Sequence, residues 1–334
     1  MPSQDDVDAV AAANPDQTRV VESKRGMPCL LRLWTVLITN TSYLQGLLTL
    51  DYSLKRAKTK YPLVVLYTDE FPPYGHRALD ARNIPKKRVP YLMPESHKDY
   101  SNDPRFYDCW SKLTPFSLVE YDRVVQLDAD MLVLKNMDEL MELELDPPEL
   151  KGEGQRVFAA SHACVCNPLK KSHYPADWVP ANCAFTTQHA APDAAQTEGA
   201  PSTAGLAMPN GGLQVVNPSA AVYGTILRAL QSSNTDSYEF ADQSLLSDIF
   251  GGRWVTIPYI YNALKTMRWK DVHDAIWRDD QVKNVHFILS PKPWQETKDM
   301  RIKRNFQTEA NDWWWEINDE RNRVEKEGGL DDKW

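Results

Sequence analysis

A chain of 334 residues, 42% of them hydrophobic, is long enough for one large domain or two small ones and can fill a substantial core. Its 38 basic and 46 acidic residues leave a net charge of -8, which excludes the broad positive field of a general nucleic-acid or anionic-membrane binder. No apolar run approaches the roughly 20 residues of a membrane-spanning helix, and the N-terminus lacks the basic-then-apolar order of a signal peptide, so the expected address is cytoplasmic.

Residues 1–28 are polar, rich in Asp, Ala, Gln and Ser, and read as a disordered leader. The apolar run from Leu30 to Ile38 predicts a buried strand that stops at the polar cluster Thr39 to Ser42. Tyr43, Leu44, Leu47, Leu48, Tyr52 and Leu54 then recur at helical spacing up to a basic stretch at Lys55 to Lys60, which suits a helix C-terminus. Leu63 to Tyr67 make a second strand. Phe106 to Tyr121 predict another helix, interrupted near Pro115, and Val124 to Leu127 a third strand. Alternating strands and helices point to an α/β fold with a parallel sheet, in which ligands gather beyond the carboxyl ends of the strands. Two polar strand ends fit that rule, Thr39-Asn40 and Asp128-Ala129-Asp130.

Two carboxylates one residue apart after an apolar strand repel one another unless something positive lies between them, which argues for a divalent cation. The alternative is a pair of solvated or turn-capping carboxylates. Downstream, Asn210-Gly211-Gly212 opens a strand where backbone can approach a ligand closely, Asp242-Gln243 opens a helix, and Val285-His286-Phe287 leads to Lys292-Pro293-Trp294. His286 offers an imidazole of the kind Mn²⁺ accepts beside carboxylates, and Lys292 offers a point charge for a phosphate.

In this order, from about Trp34 to Trp294, the pieces Leu37-Ile38-Thr39-Asn40 with Tyr43 and Gly46, Trp110-Ser111-Lys112-Leu113, Asp128-Ala129-Asp130, Asn210-Gly211-Gly212, Asp242-Gln243, Tyr261-Asn262 and His286 with Lys292-Pro293-Trp294 resemble the retaining glycosyltransferases of family eight, the family of glycogenin and galactinol synthase. Val119-Glu120-Tyr121, Cys164-Val165-Cys166, Phe240-Ala241-Asp242-Gln243 and the Trp-rich helix around Trp313 are more similar to the galactinol synthase branch. The resemblance implies a single GT-A domain over residues 29–300, with a Rossmann-like nucleotide-binding sheet flanked by helices, a UDP-sugar donor and Mn²⁺. It implies Asp128, Asp130 and His286 as metal ligands, and Leu37, Thr39, Asn40 and Tyr43 as the uridine site. Lys112 and Lys292 match basic positions near the donor sugar and diphosphate, and Ala129, Gly211 and Gly212 match donor-binding backbone. Asn210, Asp242 and Gln243 match positions that contact the transferred sugar, so that Asp242, Gln243, Lys112 and Asn210 form the implied catalytic set.

Departures from the family pattern are Leu289, where glycogenin has a glycine near the phosphates, Ser290-Pro291 in the same loop, Ala163 before the C-x-C, and Ser244 after Gln243. Galactose and inositol are therefore not inherited automatically. The implied reaction is retaining transfer of a hexose from UDP-galactose or UDP-glucose to a hydroxyl, with myo-inositol or another small polyol or sugar as acceptor. A UDP-N-acetylglucosamine-using or glycogenin-like transferase is the alternative. From other classes, a haloacid-dehalogenase-type phosphatase with Asp128 as nucleophile and an inactive sugar-nucleotide binder stay open, as does an oligomer.

His162, Cys164, Cys166, His173, Cys183 and His189 cluster densely enough to suggest a structural zinc. The C-x-C spacing and the missing second C-x-x-C favour buried free thiols instead. Residues 186–207 read as a flexible insertion, either a lid or an inert loop. Residues 301–334 are a charged tail with a helix predicted over 308–327, whose three consecutive Trp cannot share one face.

Overall fold

The computed structural model describes residues 31–231 and 233–334; the leader lies outside them, as does the start of the first expected strand. Arg32–Trp334 form one compact unit. Its main sheet contains β1 (Arg32–Ile38), β2 (Leu63–Tyr67), β3 (Lys86–Arg88), β4 (Arg123–Leu127), β6 (Phe158–His162), β7 (Pro209–Val216) and β8 (Val255–Thr256), in the order β3-β2-β1-β4-β7-β6-β8. A smaller sheet joins β5 (Met131–Val133), β9 (Ala263–Leu264) and β10 (Asn284–His286) in the order β5-β10-β9.

The strands β3, β2, β1 and β4 run parallel, as the alternation of strand and helix requires. The sheet is not parallel throughout. Strand β7 enters antiparallel between β4 and β6, with Leu127 opposite Leu213. That reversal sets the start of β7, with Asn210-Gly211-Gly212, against the carboxyl end of β4 that delivers Asp128.

Burial on both faces explains the apolar strands. Along β1, Trp34, Val36 and Ile38 face one core with Leu44, Leu47, Leu48 and Leu54 of the helix Leu44–Arg56. Leu33 faces the other, with Trp110, Phe116, Val124 and Ile226. The buried polar pair Thr35 and Gln126 is satisfied across β1 and β4 by a 2.7 Å hydrogen bond.

The expected helix from Phe106 to Tyr121 is instead a short α-helix, Arg105–Cys109, continued by 3-10 turns over Trp110–Ser117 that contain Pro115. A proline within the segment cannot donate the helical hydrogen bond, and the tighter turn accommodates it. The C-terminal helix, Asn311–Glu327, buries Trp314 completely against Trp294, ring centroids 5.5 Å apart. Trp313 and Trp315 point elsewhere: Trp315 Nε1 donates to Glu296 Oε2 at 2.9 Å, and Arg268 lies 5.8 Å from the Trp313 ring. Thr49 Oγ1 donates to Asn318 Oδ1 at 3.0 Å, docking this helix on Leu44–Arg56. Among the described residues no helix is long and apolar enough to cross a membrane.

Candidate active site

Asp128 and Asp130 occupy the turn between β4 and β5. Because β5 pairs antiparallel with β10, Met131 lies opposite His286, and Phe287 N donates to Asp130 O at 2.8 Å. The imidazole is thereby carried to the two carboxylates: His286 Nε2 is 3.2 Å from Asp130 Oδ1 and 3.6 Å from Asp128 Oδ2. One ligand atom from each of the three residues lies within 4.8 Å of the others. On the far side of the ring, Nδ1 is 2.9 Å from Asn262 Oδ1. An amide oxygen accepts, so Nδ1 carries the proton and Nε2 presents its lone pair to the carboxylates. Two hard oxygens and an imidazole nitrogen form a donor set that suits Mn²⁺.

The same carboxylates are held by two lysines. Lys112 Nζ donates to Asp128 Oδ2 at 2.7 Å, and Lys292 Nζ donates to Asp130 Oδ2 and, at 2.8 Å, to Phe287 O. Burial alone would raise the Asp130 carboxyl, but the Lys292 ammonium outweighs it and holds that group well below the usual carboxylate range. Burial likewise opposes the charge on Lys112, yet Asp128 keeps it protonated, well above the ordinary lysine value. Asp130 is thus held as a carboxylate beside Asp128.

Glycine is required beside this cluster. A Cβ on Gly212 would sit 2.4 Å from His286 Cε1, and one on Gly211 would sit 2.2 Å from Asp242 Oδ2. Asn210 Oδ1 accepts from Gly212 N at 3.0 Å and from Asn262 Nδ2 at 2.8 Å, linking β7 to the partner of His286. Gln243 Oε1 accepts from Gly211 N at 2.8 Å. Asp242 is buried in the first turn of the helix Ala241–Ile249, and burial, with Asp128 nearby and Lys112 opposing, pushes its carboxyl up to about 7.

These groups open on a cleft of about 380 Å³ that also takes in Leu37, Thr39, Asn40, Tyr43, Lys112 and Ala129. Thr39 Oγ1 donates to Asp108 Oδ2 at 2.8 Å, and Asn40 Oδ1 accepts from Ser42 N at 3.0 Å as an N-terminal cap. One wall is aromatic: Trp178 stacks on Phe240 with centroids 4.1 Å apart, and Tyr174 meets Phe240 edge-on.

Residues 35–298 match the family model for glycosyl transferase family 8. The chain belongs to that family. Galactinol synthase 1 of Solanum lycopersicum is 29% identical over 288 residues, covering 85% of this chain and 80% of the relative. An uncharacterized protein, R707, of Acanthamoeba polyphaga mimivirus is 26% identical over 287 residues, covering 83% and 87%. Among solved structures, the galactosyltransferase LgtC, in complex with donor and acceptor sugar analogs, superposes with a TM-score of 0.53 at 16% identity over 86% of this chain and 96% of its own. The glycosyltransferase GlyE of Streptococcus pneumoniae TIGR4 gives 0.53 at 17% identity over 86% of this chain, which spans only 60% of GlyE. These likenesses establish the GT-A fold and, with the family match, a glycosyltransferase. The phosphatase alternative is overturned by the family match; Asp128 also follows the fourth strand and is paired with Lys112.

Within this family-8 chain the implied residues come together, with two distinctions. Gly211 and Lys292 stand behind the cleft lining, Gly211 against Gln243 and Lys292 almost fully buried beneath Asp130. Ala163 lines the cleft, whereas Ser244 turns inward and its hydroxyl accepts from Phe240 N at 3.2 Å. Leu289 adopts φ 67°, the left-handed region where a glycine is at ease. Reading the sequence missed Arg105, Asp108 and Trp178 in the lining, which carry no motif, and gave Asn262 no role although it falls in one of the matching pieces.

Proposed function

We propose that this protein is a retaining, Mn²⁺-dependent hexosyltransferase that moves galactose or glucose from its UDP-sugar to the hydroxyl of a small polyol or sugar, with myo-inositol as the first acceptor to try. The observation that carries the reading is the convergence of Asp128, Asp130 and the tautomer-fixed His286 on a cleft shared with the Thr39–Tyr43 strand end. In this reading Leu37, Thr39, Asn40 and Tyr43 bind uridine, and Asp128, Asp130 and His286 hold the metal. A divalent cation bound there supplies positive charge for the diphosphate leaving group. Lys112, which bonds Asp128 at the edge of the cleft, would donate to the transferred sugar or its phosphate in the loaded site. Lys292, fixed beneath Asp130, keeps that carboxylate ionised and oriented. Asn210, Asp242 and Gln243 orient the hexose, and the acceptor hydroxyl approaches on the face the nucleotide leaves, as retention demands. The galactinol synthase relatives support the choice of acceptor, and the aromatic wall of Trp178 and Phe240 suits the apolar face of a pyranose or inositol ring.

The test is UDP release by the purified protein with Mn²⁺ across UDP-galactose, UDP-glucose and UDP-N-acetylglucosamine, with and without myo-inositol, beside Asp130→Ala. The expected result is release that needs Mn²⁺ and Asp130, favours one hexose donor and rises with inositol. Donor binding without turnover of any donor would overturn the reading in favour of an inactive binder, and preference for the N-acetylated donor would overturn the sugar assignment.

A further inference from the structure

A second cluster of ligand atoms lies in the wall of the cleft, made of chemistry unlike the first. Cys164, Cys166, Cys183 and His273 place three sulfurs and one imidazole nitrogen within 4.8 Å of one another. The cysteines are free thiols, and Cys183 and His273 are completely buried. His273 Nε2 lies 3.2 Å from Cys166 Sγ and 3.3 Å from Cys183 Sγ. A tetrahedral site with metal–sulfur bonds of roughly 2.3 Å and a metal–nitrogen bond of roughly 2.0 Å has ligand edges of roughly 3.5–3.8 Å, which a small adjustment of these side chains reaches.

The orientation of His273 supplies a further argument. Its Nδ1 lies 2.9 Å from Nε2 of the half-buried His189. If Nδ1 carries the proton and donates to His189, Nε2 is left with a lone pair directed at the thiols. That is the tautomer a metal ligand needs, held by an outer partner in the usual way. The four ligands also come from three separate stretches: the segment after β6, the N-terminus of the short helix Ala184–Thr187, and the turns before β10. Helices or strands alone would not bring them to one point, whereas a shared ion would hold all three.

We propose that Cys164, Cys166, Cys183 and His273 bind a structural Zn²⁺. Closed coordination by three thiolates and an imidazole is a structural zinc type with no open position for catalysis, and soft sulfur ligands discriminate against the Mn²⁺ suited to the carboxylate site. Its role is mechanical. Ala163 and Cys164 line the donor cleft, and His189 belongs to the 186–207 insertion, so the zinc fastens that insertion to the cleft wall. The other histidines of the sequence cluster serve elsewhere: His162 Nε2 meets Ala200 O at 3.2 Å and Pro201 O at 3.0 Å, and the His173 ring packs on Tyr174.

The test is metal analysis of the full-length, tag-free protein purified without added metal. One zinc per chain is expected after dialysis against a weak chelator, retained in Asp130→Ala and lost in Cys183→Ser and His273→Ala. Three of the five thiols should react only after a strong chelator removes the metal, with a fall in melting temperature. Replacement by Co²⁺ should give thiolate-to-cobalt charge-transfer bands and intense tetrahedral d–d bands, unchanged in Asp130→Ala. These measurements on the unsubstituted protein decide the question even if the cysteine variants do not fold. Metal-free protein with five freely reactive thiols, a disulfide among Cys164, Cys166 and Cys183, or cobalt spectra lacking thiolate bands would overturn the proposal. Each of those outcomes leaves the hexosyltransferase reading standing, because that rests on the other site.

Discussion

Replacing Asp242 by Asn should make the protein more stable and less active, with a pH signature that identifies the cause. The carboxyl titrates near 7 in the folded chain against an ordinary 3.8. At 1.36 kcal/mol per pH unit, ionising it in place is unfavourable by about 4 kcal/mol. The folded value lies above the unfolded one. Below pH about 4 both states are protonated and the group contributes nothing; between pH 4 and 7 the unfolded chain ionises first, so stability falls; above 7 the whole penalty is present. Asp242→Asn removes that penalty while nearly preserving shape. Melting temperatures of the two proteins, measured without added Mn²⁺ or donor, should nearly coincide at pH 4 and diverge to roughly 5 °C in favour of the variant at pH 8. Donor turnover should fall by about 100-fold or more if the carboxylate orients the sugar. Parallel melting profiles between pH 5 and 8 would refute the reasoning, since the carboxyl would then titrate in the ordinary range. A stabilised but inactive variant would show a charge retained for its chemistry at the expense of the fold.

Asp130→Ala leaves Lys292 buried without its carboxylate, and urea titration should show a loss of about 3–5 kcal/mol along with lost Mn²⁺-dependent turnover. In Gly212→Ala the new methyl displaces His286, so calorimetric titration should show Mn²⁺ binding weakened by about 10–100-fold with the circular dichroism spectrum unchanged. At Leu289, φ 67° predicts opposite effects by thermal melting: Leu289→Val destabilises by about 1–2 kcal/mol, while Leu289→Gly is neutral or slightly stabilising. Trp314→Ala opens a cavity beneath the C-terminal helix, and the denaturation midpoint should fall by the equivalent of about 3–5 kcal/mol.

Much of this architecture is legible in local sequence because local physics decides it. The run Leu63 to Tyr67 is a strand over those same residues, and the leucine spacing after Tyr43 is the helix Leu44–Arg56. Asp128 and Asp130 are recognisable from their place after an apolar strand. What pairing partners decide was less accessible. Nothing within β7 says that it enters the sheet reversed, because that depends on its contacts with β4 and β6. Lys292 reads as a point charge for a phosphate, and only the fold shows it buried under Asp130. His273 escapes a search for zinc ligands because it stands 90 residues beyond Cys183, and His162 and His173 lie closer in sequence but are turned away. Arg105 and Asp108 join the cleft through a short helix that carries no motif.

The pairing of β5 with β10 also bears on how the Asp128–Asp130–His286 cluster comes into being. His286 and Lys292 follow Asp130 only after most of a domain's length has been synthesised, and at about 5–20 residues per second the ribosome needs roughly 10–30 s to make that stretch. Until then the upstream side-chain partner of the nascent acidic pair, among the described residues, is Lys112, bonded to Asp128. Closing so long a loop adds little to the equilibrium entropy but slows the search. The three-residue cluster is therefore completed late, with the return of β10, and a chain arrested before His286 would contain all seven strands of the main sheet without the full Asp128–Asp130–His286 set.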